Sequence, residues 1–117
     1  MLGAAFKPDS DDIRDSPALD VATAIRKLGG DVVVYDPEAM ANAAIAHPDL
    51  RYADSVRDAL TGADLALLLT EWQEFRALDP AAVAQMMAAP KLVDGRNVLD
   101  PVAWRGAGFS YRALGRP

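Results

Sequence analysis

The chain has 117 residues, 51% hydrophobic and 25% charged, with a formal net charge of −5 and no cysteine. That length suits one domain with its own core. The acidic balance excludes a general nucleic-acid binder, which needs a basic face against the phosphates, and the lack of cysteine excludes disulfides, cysteine zinc sites and a cysteine nucleophile within the chain. A small anionic ligand stays open, because a few local cations and backbone N–H groups suffice for it. No apolar run approaches the roughly 20 residues needed to cross a bilayer; the longest clear one is residues 65–69. The N-terminus lacks the basic-then-apolar pattern of a secretion signal, so the cytoplasm is the expected location.

Residues 2–6 read as a short apolar strand. Met1 stands directly before it, so the chain is expected to be cut from a longer protein. A polar loop follows, with Lys7, Asp9, Asp11, Asp12, Arg14 and Asp15. Ser16 is a good N-cap, and Pro17 suits the first helical position because its missing N–H has no helical partner there. A helix is expected over 17–28, with Val21, Ile25 and Leu28 as its core stripe and Gly29-Gly30 as its stop. Strand, charged loop and capped helix make the first half of a βαβ unit, whose loop lies where open α/β sheets bind ligands. Lys7 and Arg14 are suited to phosphate; equally, Arg14 and the aspartates can tie the loop down by local ion pairs.

Residues 32–35 are β-branched and apolar, the pattern of a strand buried on both faces. Asp36-Pro37 ends it. Asp36 has two roles open to it, a ribose ligand as in nucleotide-binding units or a cap for the helix over 38–46; Asp-Pro before a helix favours the cap. His47, the lone histidine, sits in a turn and reads as surface. Arg51-Tyr52 is a short extended piece, and residues 55–60 a short helix. Residues 64–70 form the strongest strand. Trp72 and Phe75 beyond it either flank a ligand or pack the sheet, with packing favoured. Glu71 and Glu74 have no partner base or metal cluster in the sequence and are expected to be solvated or paired.

Asp79-Pro80 opens a helix with Val83, Met86 and Met87 as its apolar face. Residues 91–94 form the next strand. Gly95-Arg96-Asn97 turns after it, placing Arg96 at the sheet's carboxyl edge. Asp100-Pro101 starts a last short helix, and residues 109–114 an edge strand. The alternation predicts an α/β fold, a three-layer αβα Rossmann-like domain with a mostly parallel sheet of about five strands. The Gly-x-Gly-x-x-Gly fingerprint is absent, so the domain is not expected to be a dinucleotide cradle.

Four stretches carry a resemblance: Phe6-Lys7-Pro8-Asp9-Ser10-Asp11-Asp12-Ile13-Arg14-Asp15-Ser16-Pro17, then Val34-Tyr35-Asp36-Pro37, Thr70-Glu71-Trp72-Gln73-Glu74-Phe75, and Val93-Asp94-Gly95-Arg96-Asn97-Val98-Leu99-Asp100. In this order and spacing they resemble the C-terminal, UDP-binding domain of the UDP-glucose/GDP-mannose dehydrogenase family. The third stretch is most like the UDP-glucose 6-dehydrogenase branch. Ser10 stands where the family often has Thr, which keeps the hydroxyl. The resemblance implies enzymes that oxidise a nucleotide sugar twice with two NAD, through a cysteine that captures the aldehyde. It also implies an N-terminal NAD domain, a central dimer helix and a homo-oligomer. This chain resembles only the C-terminal part, without that cysteine or the NAD loop, so it carries no catalytic residue and is expected to be inactive alone. By the same resemblance, Phe6, Lys7 and Arg96 contact substrate and Arg14 reaches toward NAD. Two other readings stand beside it. One is an assembly module whose motifs pack domains together; the other is a GDP-mannose or UDP-N-acetyl-sugar enzyme.

Overall fold

A computed structural model describes residues 1–5, 11–14 and 16–114. Among these residues there are five strands, β1 (Val33–Val34), β2 (Arg51–Tyr52), β3 (Ala66–Leu68), β4 (Lys91–Asp94) and β5 (Ser110–Ala113). Among the described residues there are also six helices: α1 (Pro17–Lys27) before β1, then α2 (Met40–Ala46), α3 (Val56–Leu60), α4 (Gln73–Arg76), α5 (Pro80–Met86) and α6 (Pro101–Gly106) between the strands. β1 pairs with β2, and β3, β4 and β5 pair in that order, all in parallel. The two groups are joined through Leu2, which bridges in parallel to Tyr35 and to Leu68. Leu2 N–H donates to Leu67 O at 2.7 Å, and Gly3 N–H donates to Tyr35 O at 2.8 Å.

The segment expected as a full strand over 2–6 thus forms single bridges, yet it occupies the centre of the sheet. Counted as the first strand, it gives the parallel order 3-2-1-4-5-6. The order reverses between this segment and β3. By the right-handed rule for parallel crossovers, α1 and α2 belong on one face and the later helices on the other. Consistent with that, α3 packs on α5 and α5 on α6. β5 is the edge strand, as its alternation suggests.

Local sequence explains most helix starts. Ser16 Oγ accepts from Leu19 N–H, Asp79 Oδ1 from Ala81 N–H and Asp100 Oδ1 from Val102 N–H, and a proline follows each cap. Ser55 caps α3 in the same way. The stripe expected on α1 is corrected. Val21 is 37% and Leu28 89% exposed, while Ala18, Leu19 and Ala22 are buried. The face that α1 buries is the one carrying two alanines beside Leu19, not the bulkier one. The core is filled by Leu2, Leu19, Val34, Leu60, Leu68, Phe75, Val83 and Leu92. Among the described residues no helix is long and apolar enough to cross a membrane.

Candidate functional site

Every strand is parallel, so all carboxyl ends lie along one edge; in open α/β sheets the point on that edge where the strand order reverses is where a ligand crevice forms. Three buried polar side chains build the floor of this edge: Asp36, Thr70 and Asp94.

Asp36 follows β1. Its Oδ1 accepts from Glu38 and Ala39 N–H, at 2.9 and 2.8 Å, in the turn before α2. Its Oδ2 accepts from Ala4 N–H at 2.8 Å, Ala5 N–H at 3.0 Å and Trp72 Nε1–H at 3.0 Å. The cap expected of Asp36 is corrected: α2 starts later, with Ala39 at its N-cap and no side-chain cap bond, and Asp36 instead braces the turn before it. One carboxylate thereby ties together β1, the central segment and the chain after β3. Thr70 Oγ1 donates to Ala5 O at 2.9 Å. Ser16 Oγ donates to Ala4 O at 2.7 Å, so the start of α1 is fixed to the same segment. Gly3 has φ +108°, and a Cβ there would stand 2.4 Å from Thr70 Oγ1. Only glycine permits this approach.

Trp72 and Phe75 are buried. Phe75 meets Tyr35 edge-to-face, with ring centroids 6.0 Å apart. The packing reading of both aromatics therefore holds. Tyr35 Oη donates to the Glu74 carboxylate, with Oε2 at 2.9 Å. Burial first, then the hydrogen bond and charge of Glu74, and then the charge of Asp36, push the Tyr35 phenol up to about 12.

Asp94 ends β4. Its Oδ1 accepts from Arg96 N–H at 3.0 Å, and its Oδ2 from Val98 N–H, Leu99 N–H and Tyr111 Oη–H at 2.9, 2.9 and 2.7 Å. Gly95 N–H donates to Leu68 O at 2.9 Å. The Gly95-Arg96-Asn97 turn is thereby pinned to β3 and β5. Arg96 Nη2 donates to Glu71 Oε1 at 3.2 Å. Both carboxylates left open in the sequence are thus paired, Glu71 with Arg96 and Glu74 with Tyr35. Asp94 and Tyr111 were missed as members of this edge. An aspartate at a strand end followed by glycine is the only local signal for the first, and nothing local marks the second.

A family model described as "UDP-glucose/GDP-mannose dehydrogenase family, UDP binding domain" matches residues 1–101. The chain belongs to this family. The UDP-glucose 6-dehydrogenase of Rhizobium meliloti (strain 1021) is 44% identical over 119 residues, a stretch that is 100% of this chain and 27% of that protein. A solved NDP-N-acetyl-D-galactosaminuronic acid dehydrogenase from Methanosarcina mazei Go1 superposes with a TM-score of 0.86 at 30% identity, over 99% of this chain and 24% of the other. A UDP-glucose dehydrogenase from the archaeon Pyrobaculum islandicum gives 0.77 at 30% identity, over 95% and 23%. The chain therefore spans about a quarter of the length of these relatives.

Of the residues that the family resemblance singles out, Arg96 lies on the pinned turn at the carboxyl edge. Arg14 lies on the loop before α1 with its side chain 86% exposed. Asp12 takes its Nε–H and Nη2–H at 3.0 Å each, which matches the reading of a loop held by local ion pairs. Asn42 Nδ2 donates to Asp11 O at 3.0 Å and docks this loop on α2. Phe6 and Lys7 lie outside the described residues, as do Asp9, Ser10 and Asp15.

The strand-end carboxylate that would take a ribose hydroxyl is Asp36, and it is fully buried with five N–H donors on its two oxygens. At the opposite, amino edge a groove of about 640 Å³ is lined by Asp31, Arg51, Asp54, Asp58 and Asp64 among others. Arg51 is already held by Asp31 at 2.6 Å, so that groove offers an anion mostly carboxylates. Among the described residues no group of carboxylates and histidine is placed to hold a metal ion.

Proposed function

We propose that this chain is the C-terminal, substrate-binding domain of an NAD-dependent UDP-glucose 6-dehydrogenase, and that it holds the UDP half of UDP-glucose at the carboxyl edge of its sheet. The observation that carries this reading is Arg96, a guanidinium on a turn fixed by Asp94, beside the crevice where the strand order reverses. Arg96 and Lys7 supply the positive charge for the diphosphate, and Phe6 borders the nucleotide. Arg14, exposed on the loop before α1, reaches toward a cofactor held by another domain. NAD belongs to an N-terminal domain outside this chain, because Asp36 is consumed internally. That domain, a central dimerisation helix and a homo-oligomeric assembly complete the enzyme, which works in the cytoplasm. The 117 residues alone turn over no substrate, since they contain no cysteine.

The test is calorimetric titration with UDP, UDP-glucose and GDP. Binding of both uridine ligands and not GDP supports the reading, and Lys7→Ala should weaken it without lowering the melting temperature. GDP binding in preference to UDP would instead select a GDP-sugar enzyme.

A second reading is favoured by how many polar groups at this edge are used internally. In it the domain is an assembly module, and Lys7→Ala lowers stability with no nucleotide binding to lose. An N-acetyl-sugar substrate is a third, supported by the fit to the Methanosarcina mazei structure.

A further inference from the structure

Residues 70–75 cross the carboxyl edge as a strap. Thr70, Trp72 and Phe75 are buried, and the strap is fixed by Thr70 to Ala5 O, by Trp72 to Asp36 and by Glu74 to Tyr35. Glu71 lies within this strap and directs its carboxylate at Arg96. On the other side, the Arg96 backbone is fixed by Asp94, and a Cβ on the neighbouring Gly95 would stand 2.8 Å from Leu69 Cδ2. Both members of the pair therefore come off backbones with little room to move. Their side chains are 33% and 32% exposed, and an isolated pair so open to water adds little to stability. The ion pair engages the guanidinium through Nη2. A guanidinium has five N–H donors in a rigid fork, enough to hold a carboxylate on one side and a phosphate on the other.

We propose that Glu71 is a positioning residue: it holds the Arg96 guanidinium in a fixed orientation at the crevice, so that the diphosphate of a nucleotide meets a donor fork already ordered. This rests on the reading of the carboxyl edge as a nucleotide-diphosphate site. The gain comes from ordering the arginine before the ligand arrives, so it is felt by the phosphates and not by the base.

The test is a calorimetric double-mutant cycle on the intact protein, with UDP and, as a ligand without phosphate, uridine. Glu71→Ala is expected to weaken UDP binding roughly five- to tenfold. Uridine binding and the melting temperature should not change. Glu71→Gln, whose amide oxygen still accepts from Nη2, should restore most of the affinity. Glu71→Ala with Arg96→Ala should bind UDP no more weakly than Arg96→Ala alone. Unchanged or tighter UDP binding by Glu71→Ala overturns the proposal, as do additive losses in the double variant or an equal loss for uridine. If the unsubstituted protein binds uridine and UDP equally, or neither, the nucleotide-diphosphate reading itself is overturned and this inference with it.

Discussion

The Trp72 indole N–H donates to Asp36 Oδ2 at 3.0 Å, spanning from the chain after β3 to the end of β1 across the central segment between them. Ala4 and Ala5 N–H of that segment donate to the same oxygen. Every member of this group is buried, so water cannot replace a lost partner.

Asp36→Asn is expected to destabilise the fold by roughly 2–3 kcal/mol. In either orientation the new amide places N–H groups against N–H donors. Trp72→Phe removes one donor and leaves the carboxylate its four backbone donors, so its cost should be nearer 1 kcal/mol. Chemical denaturation of the two variants gives the comparison; equal losses would contradict it.

Gly3→Ala should cost about 2 kcal/mol or more. Two penalties combine, a positive φ of 108° and a Cβ against Thr70. Adding Thr70→Ala should recover the steric part and leave the backbone part. A thermal melt of the single and double variants measures both.

Tyr35 ionises in the folded protein at about 12, above its ordinary 10. The neutral phenol is the form the fold prefers. Its contribution to stability is fully present below pH 10 and is lost as pH rises through 12. Glu74→Gln removes a hydrogen-bonded negative charge and should move the ionisation downward, as ultraviolet titration of the phenolate would show. Burial remains, so the value should stay above the ordinary one.

Tyr111→Phe takes one of four hydrogen bonds from buried Asp94 and should lower stability by about 1–2 kcal/mol. The turn carrying Arg96 loses its tie to β5. Hydrogen exchange at Val98 and Leu99, which also donate to Asp94, should rise relative to the amides of α1.

The elements that depend on neighbours in sequence were determined by the sequence alone. Ser16-Pro17, Asp79-Pro80 and Asp100-Pro101 start helices because cap and first-turn geometry involve only the next three residues. The apolar β-branched run before Asp36 and the run before Thr70 specify strands of a sheet covered on both faces. The place of Arg96 at a strand end follows from the same reasoning. Only the tertiary structure decided which face of α1 is buried, because Val21, Leu28 and the Ala18, Leu19, Ala22 set all recur at helical spacing. The folded chain buries the small set. Only the tertiary structure, too, joined Asp36 to Trp72, Asp94 to Tyr111 and Glu71 to Arg96, residues 36, 17 and 25 positions apart. No local periodicity encodes those partners. They meet because the sheet reverses its strand order and brings every strand's carboxyl end to one edge, where buried oxygens and N–H groups had to satisfy one another away from water.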